Sequence, residues 1–234
     1  MKNHVNVLIG SFRLIRRDPM MMLIIFAPLL SGVVLRFGLP LLQRVLMDAL
    51  SFDLTPWYAL SDMTVLMLAP MMAGVLCGFL MLDERDEGVA VYYAVTPLGG
   101  AGYLLSRLLL PVLWSIVIAP VLSALFSLTH PDMIRVLLVA LCGGLFGASL
   151  ALLLLAFAGN KVEGLALSKI MGMLMLPMIV PFLTDSPWGY LAGAFPAFWM
   201  GLLFKGPLFM LPAALIVGFT WLALLYQRTL KRQV

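Results

Sequence analysis

Six stretches of this chain run for 15 to 25 residues without an Asp, Glu, Lys, Arg or His: residues 19–35, 63–82, 108–129, 136–160, 170–184 and 206–227. The hydrocarbon core of a bilayer is about 30 Å thick and takes roughly 20 apolar residues per helix. The pattern therefore predicts six membrane-spanning helices, the fifth on the short side. Lipid leaves no partner for an unpaired backbone group, so the spans of such a chain are helical. A seventh uncharged stretch, residues 186–204, carries Pro187, Pro196, Gly189, Gly193, Gly201, Trp188 and Trp199. These breakers and interfacial aromatics predict a re-entrant segment in the outer half of the bilayer rather than a span.

Composition agrees, because 63% of the 234 residues are hydrophobic and 11% charged, whereas soluble domains are about a quarter charged. The first residues, MKNHVNVLIGSFRLIRRDP, lack both a clean apolar core after the first charges and a small-residue cleavage site, and so do not read as a secretory signal. Val5, Leu8, Ile9, Phe12 and Ile15 recur at helical spacing, with Asn3, His4, Asn6, Ser11, Arg13 and Arg16 mostly opposite. This predicts an amphipathic helix over 1–17 lying in the membrane interface.

With six spans both termini share a side, and Lys and Arg decide which. Termini inside would place Lys2, Arg13, Arg16, Arg17, Arg85, Arg107, Lys161, Lys169, Arg228, Lys231 and Arg232 on the cytoplasmic face, and Arg36, Arg44, Arg135 and Lys205 outside. The split of 11 to 4 predicts cytoplasmic termini. Single charges at span ends, such as Arg36 and Arg107, read as snorkelling side chains. Leu41, Leu42, Val45, Leu46 and Ala49 extend the first helix beyond the bilayer, ahead of a loop with Pro56, Trp57 and Tyr58. Gly74 and Gly78 in the second span, and Gly143 and Gly147 in the fourth, suit close helix approach within one subunit. Pro28, Pro70, Pro111, Pro120, Pro177, Pro181 and Pro212 predict kinks whose freed carbonyls need local repair. Cys77 and Cys142 fall in apolar spans and read as small buried hydrophobes.

A membrane enzyme needs clustered ligands, or a nucleophile with a base, at a workable depth, and no span supplies one. His4 and His130 lie at a terminus and in a loop. A proton-coupled transporter usually keeps an ionisable group at mid-membrane. No Gly-rich loop ending in Gly-Lys-Ser/Thr is present to cradle a nucleotide. If the chain performs work, its energy comes from elsewhere.

The most informative polar stretch is LDERDEGVAVYYAVTPLGGAGYLLSR, between the second and third spans. Asp83, Glu84, Arg85, Asp86 and Glu87 open it, Gly88 follows, and residues 89–95 suit about two helical turns before Thr96, Pro97, Gly99 and Gly100 stop them. Acids at the start of such a helix suit its dipole. Val91, Tyr92, Tyr93 and Val95 offer an apolar patch able to enter a groove on another protein. A plain solvated loop is the alternative.

This order of residues, with Tyr103 ahead of the third span, resembles the intracellular loop of type-2 ATP-binding-cassette exporter permeases. The residues from Asn160 to Gly164 before the fifth span are similar to those of the small drug exporters of that family, the fluoroquinolone exporters. One departure is Val89, where many members carry Thr or Ser. The resemblance covers nearly the whole chain and implies a single permease domain over 1–234, all-α, with spans at 19–38, 63–82, 102–129, 133–159, 165–184 and 206–227. It implies a cytoplasmic coupling loop at 83–100 and a re-entrant element at 186–204. It further implies that Glu84, Arg85, Asp86, Glu87, Gly88, Val91, Tyr92, Tyr93, Thr96 and Pro97 dock on a separate ATPase subunit. That partner would hold ATP and Mg, and this chain neither catalytic residue, cofactor nor metal. A second permease subunit, identical or paralogous, would complete the exporter in a bacterial plasma membrane, with the lipid bilayer but no nucleic acid as a partner. A scaffold or assembly subunit of a membrane complex is the competing expectation.

Overall fold

In the computed structural model, residues 19–88 and 99–233 are described here. The chain segment expected to lie in the interface, 1–17, falls outside them. Among the described residues there is no strand, and eight α-helices account for most of the chain: α1 Pro19–Leu50, α2 Tyr58–Asp86, α3 Gly99–Phe126, α4 Met133–Phe157, α5 Lys161–Met171, α6 Val180–Leu183, α7 Pro196–Lys205 and α8 Leu211–Gln233. Six segments are long and apolar enough to cross a membrane: Phe26–Leu50, Thr55–Asp86, Gly102–Phe126, Met133–Phe157, Lys161–Leu183 and Leu208–Lys231. The expected number of spans stands, and so does the extension of the first helix to Leu50.

The spans are not equivalent. The most apolar stretch of α2 is 89% buried and that of α4 78%, against 6% for α1 and 11% for α8. A helix apolar on every side and covered on every side is a core helix, and α2 with α4 forms the centre around which the others stand. Small residues permit it. A Cβ placed on Gly74 would lie 2.2 Å from the Gly147 carbonyl oxygen, and one on Gly147 would lie 2.3 Å from the Pro70 carbonyl oxygen. Gly143 faces Pro70 and Gly144 faces Val112 of α3. The two glycine pairs seen in the sequence thus serve packing within the chain, as expected.

Proline sets the local departures from straight helix. Pro111 has no N–H to give the carbonyl of Arg107 four residues back, and the Cys77 thiol of α2 donates to that oxygen at 3.0 Å. Cys77 is therefore more than the small hydrophobe the sequence suggests. In the fifth span α5 passes into a 3-10 stretch, Gly172–Ile179, which contains Pro177, before α6 resumes at Val180 with Pro181 following. The uncharged run at 170–184 is short because Lys169, in the last turn of α5, interrupts a span that itself begins at Lys161.

Residues 186–204 form no crossing helix. They split into a 3-10 stretch, Pro187–Ala194, and α7, whose ten residues cover about 15 Å, half the apolar thickness. The Trp199 indole donates to the Gly193 carbonyl at 2.6 Å and the Trp221 indole to Ala194 at 2.8 Å. Ala197, Met200 and Leu203 of α7 are buried in the common core.

Candidate functional site at the charged end of the second helix

Two acids of α2 are buried, Asp62 at 3% exposure and Glu84 at 5%. They stand 22 residues apart, about 33 Å along a helix, close to the apolar thickness of a bilayer. Each acid lies near one end of α2, and the two ends differ.

At the Asp62 end every polar contact is made to backbone or to a neighbouring loop. The Asp62 carboxylate accepts from the N–H groups of Leu128 and Thr129, both at 2.8 Å, and from the Thr129 hydroxyl at 2.5 Å, closing the turn between α3 and α4. Arg36 does not snorkel freely. Its Nη1 donates to the Ser127 carbonyl at 2.8 Å and pins α1 to the same turn. Arg135 Nη1 donates to the carbonyls of Leu203, Phe204 and Gly206 at 2.9, 2.7 and 2.7 Å. It thereby caps α7, whose last carbonyls have no helical partner. Lys205 Nζ donates to the Pro181 carbonyl at 2.9 Å and pairs with Asp185 at 3.1 Å. These charges are structural fasteners.

At the other end the charges of Asp83-Glu84-Arg85-Asp86-Glu87 lie in the last turn and cap of α2, not at the start of a new helix as the sequence suggests. The helix runs on through the charged residues because their side chains find partners there. It stops when Gly88 adopts φ of +72°, the left-handed conformation that glycine accepts without strain. The Glu87 N–H donates to the Asp83 carbonyl at 2.9 Å and the Gly88 N–H to that of Arg85 at 3.1 Å. Acids at a helix C-terminus oppose the dipole, and here Asp83, Glu84 and Asp86 are each offset by a cation or a donor on another element.

Successive residues reach different neighbours. Asp83 pairs with Lys161 of α5 at 2.8 Å. Glu84 turns inward to α3, accepting from the guanidinium of Arg107 and the hydroxyl of Tyr103. Arg85 Nη2 donates to the carbonyls of Ala158 and Gly159, both at 2.7 Å, with Nη1 3.4 Å from that of Leu155, so its charge sits on the exposed C-terminal carbonyls of α4. Asp86 accepts from the Lys161 N–H at 3.1 Å. One turn of α2 thus fastens α3, α4 and α5.

The receiving turn is built by its own sequence. Asn160 caps α5, its Oδ1 accepting from the Glu163 N–H at 2.9 Å, while the Glu163 carboxylate accepts from the Gly159 N–H at 2.5 Å. The exchange resembles a capping box. Gly164 lets α5 approach α2, since a Cβ there would lie 2.6 Å from Leu82.

Arg107 departs most from the sequence expectation. It is 2% exposed, and its guanidinium lies 5.7 Å from the Tyr103 ring centroid, so it does not snorkel to water. The reason is Glu84, 23 residues away in sequence, which supplies an acid inside the bundle. Of the residues expected to dock on a partner, Glu84, Arg85 and Asp86 are engaged as above. Asp86 and Glu87 remain exposed, and Gly88 ends the helix. Val91, Tyr92, Tyr93, Thr96 and Pro97 lie outside the described residues. Sequence reasoning missed the roles of Tyr103, Arg107 and Asp62. For the first two a signal existed, in an acid and a base placed on either flank of one short loop.

Among the described residues no three His, Cys, Asp or Glu side chains converge to hold a metal ion. The arrangement fastens helix ends. Over residues 11–230 the chain matches the family described as Fluoroquinolones export permease protein Rv2686c-like. The chain belongs to this family. Two relatives come from Mycobacterium tuberculosis: Fluoroquinolones export permease protein Rv2686c of strain ATCC 25618 / H37Rv, and Fluoroquinolones export permease protein MT2760 of strain CDC 1551 / Oshkosh. Each is 30% identical over 195 residues, which cover 80% of this chain and 76% of the relative. No solved structure matches the chain. Membership in an exporter permease family and six apolar spans make this chain a multi-pass membrane transport protein. The resemblance to exporter permeases drawn from the loop at 83–100 agrees with that family.

Proposed function

We propose that the chain is the membrane subunit of an ATP-driven exporter in a bacterial plasma membrane, moving an amphipathic or hydrophobic compound outward with energy from a separate ATPase. Fluoroquinolones, named for the relatives, are the first substrates to test. The observation that carries this reading is the last turn of α2, where four consecutive charged side chains fasten α3, α4 and α5. A force applied just beyond that turn, on residues 87–98, is passed to four helices at once. An ATPase that changes shape with nucleotide and grips this loop can therefore tilt the bundle between two arrangements.

In this reading Asp86 and Glu87, both exposed, face basic groups of the ATPase, and Tyr92 or Tyr93 fills its groove. Glu84 holds the loop from within. The Lys/Arg split of 11 to 4 supports cytoplasmic termini, and with them a loop on the side where ATP is. Two permease subunits, alike or paralogous, would enclose the path, and ATP and Mg would stay on the partner.

Purification of the full chain from its native membrane in mild detergent tests this. An ATPase subunit should accompany it, and hydrolysis should respond to added fluoroquinolone. Tyr92→Ala should weaken that association, because truncating an aromatic anchor costs about 2 kcal/mol, roughly thirty-fold in affinity. Tight nucleotide binding by the chain alone, or a chain that purifies with no ATPase, refutes the reading.

A further inference from the structure

Resting on that reading, we propose that Glu84, Arg107 and Tyr103 are positioning residues for energy coupling: a buried tie that makes the ends of α2 and α3 move as one arm. Residues 87–98 leave α2 after Asp86 and join α3 at Gly99. Glu84 stands just before that segment, and Tyr103 and Arg107 just after it, one and two turns into α3. The Glu84 carboxylate accepts from both. A pull on the segment would splay two untied helix ends and be lost there. With the tie intact both ends follow.

Two observations and one general property of buried ion pairs single out this pair among the charges at the same end. Glu84 and Arg107 are 5% and 2% exposed, whereas the side chains of Asp83 and Lys161 are 29% and 34% exposed and so open to screening by salt. Second, two helices can be held together by apolar packing as well as by a buried ion pair, which often contributes no net stability. What the pair adds is a fixed register, since separating it strands two charges in a buried site. Third, α3 is tied to α2 a second time at the same residue, through the Cys77 thiol and the Arg107 carbonyl at 3.0 Å.

Above this double tie both helices reach proline. Pro111 of α3 and Pro70 of α2 meet at Gly147 of α4, where a Cβ would lie 3.2 Å from the Pro111 Cβ and 2.3 Å from the Pro70 oxygen. Helix interrupted by proline bends more readily than intact helix. The geometry therefore gives a stiff arm below and a bending point above, and the bend at Pro70 and Pro111 is where motion of the arm would open the bundle.

The test uses the complete exporter, permease with its ATPase, reconstituted in lipid vesicles. Transport per ATP hydrolysed is measured for the natural chain, Tyr103→Phe, Arg107→Lys and the double variant Glu84→Gln/Arg107→Gln. The double variant removes both charges together, so neither is stranded, and unfolding temperature and the amount of ATPase retained are recorded beside transport. The expected result is a double variant that unfolds near the natural temperature and keeps its ATPase, but moves about tenfold less substrate per ATP, within the range of coupling between linked sites. Tyr103→Phe and Arg107→Lys should fall between. Transport per ATP equal to that of the natural chain overturns the tie, and so does a loss that merely follows the loss of folded protein or of bound ATPase. A natural chain that retains no ATPase instead removes the exporter reading itself, and the tie with it.

Discussion

The close approach of α2 and α4 has a measurable consequence in Gly147→Ala. A Cβ at Gly147 would stand 2.3 Å from the Pro70 carbonyl oxygen, where a carbon and a carbonyl oxygen ordinarily meet at about 3.3 Å. The helices must part by about 1 Å, and because the obstacle is backbone, no side chain can swing aside. Parting them loosens Pro70, Gly74 and Gly143 together. Overpacking of this kind costs about 1–3 kcal/mol, and the upper end applies to a backbone clash. For a chain of this length that is a fall of about 6–12 °C in unfolding temperature. The control is Gly38→Ala in α1, where a Cβ meets nothing within 4 Å and alanine favours helix by about 0.5–1 kcal/mol. Thermal unfolding of the purified protein in one detergent, followed by tryptophan fluorescence and by loss of the monodisperse species on gel filtration, reads both. A Gly147→Ala protein that unfolds at the natural temperature, or a Gly38→Ala protein that falls as far, would show that the contact does not carry the packing.

The remaining expectations concern the two ends of the helix bundle. Cysteine placed at Asp53, exposed beyond α1, should react with an impermeant thiol reagent on intact cells, and cysteine at Glu87, exposed at the opposite edge, should not; labelling of both would reverse the proposed orientation. Arg135→Ala leaves the carbonyls of Leu203, Phe204 and Gly206 without their donor and should destabilise the chain by about 1–3 kcal/mol, seen as earlier proteolysis between α7 and α8; an unchanged cleavage pattern argues against this cap. The Asp53 carboxyl is held below its ordinary value of 3.8 by hydrogen bonds from the side chain and the backbone N–H of Thr55. A carboxyl lowered in the folded state contributes order above its unfolded value and loses it as pH falls through the folded value. Thr55→Val should therefore raise the Asp53 midpoint toward 3.8 in an NMR titration, and a midpoint that stays in place removes the hydroxyl from the account.

The number of spans, the broken element at 186–204 and the family were legible in the sequence, because each depends on quantities carried locally. Twenty uncharged apolar residues need no knowledge of their neighbours to prefer lipid. Proline and glycine interrupt a helix wherever they stand. The Asp-Glu-Arg-Asp-Glu-Gly run is contiguous, so its likeness to exporter permeases could be seen without coordinates.

Which helix lies at the centre could not be read in that way. The spans Thr55–Asp86 and Leu208–Lys231 have equal mean hydropathy, yet the first is 89% buried and the second 11%. Lipid tails and protein side chains are equally apolar surroundings, so hydropathy does not tell one from the other, and the interior is chosen by where small residues let backbones meet. The fate of the charges was also tertiary. Arg107 has the composition of a snorkelling residue, and only the fold brings Glu84 to it across the start of α3. Asp62 finds Thr129, and Arg135 finds the last carbonyls of α7, each more than 60 residues away in sequence. A charge in an apolar chain must find a partner or water, and which of the two it finds is set by the helix that folds against it.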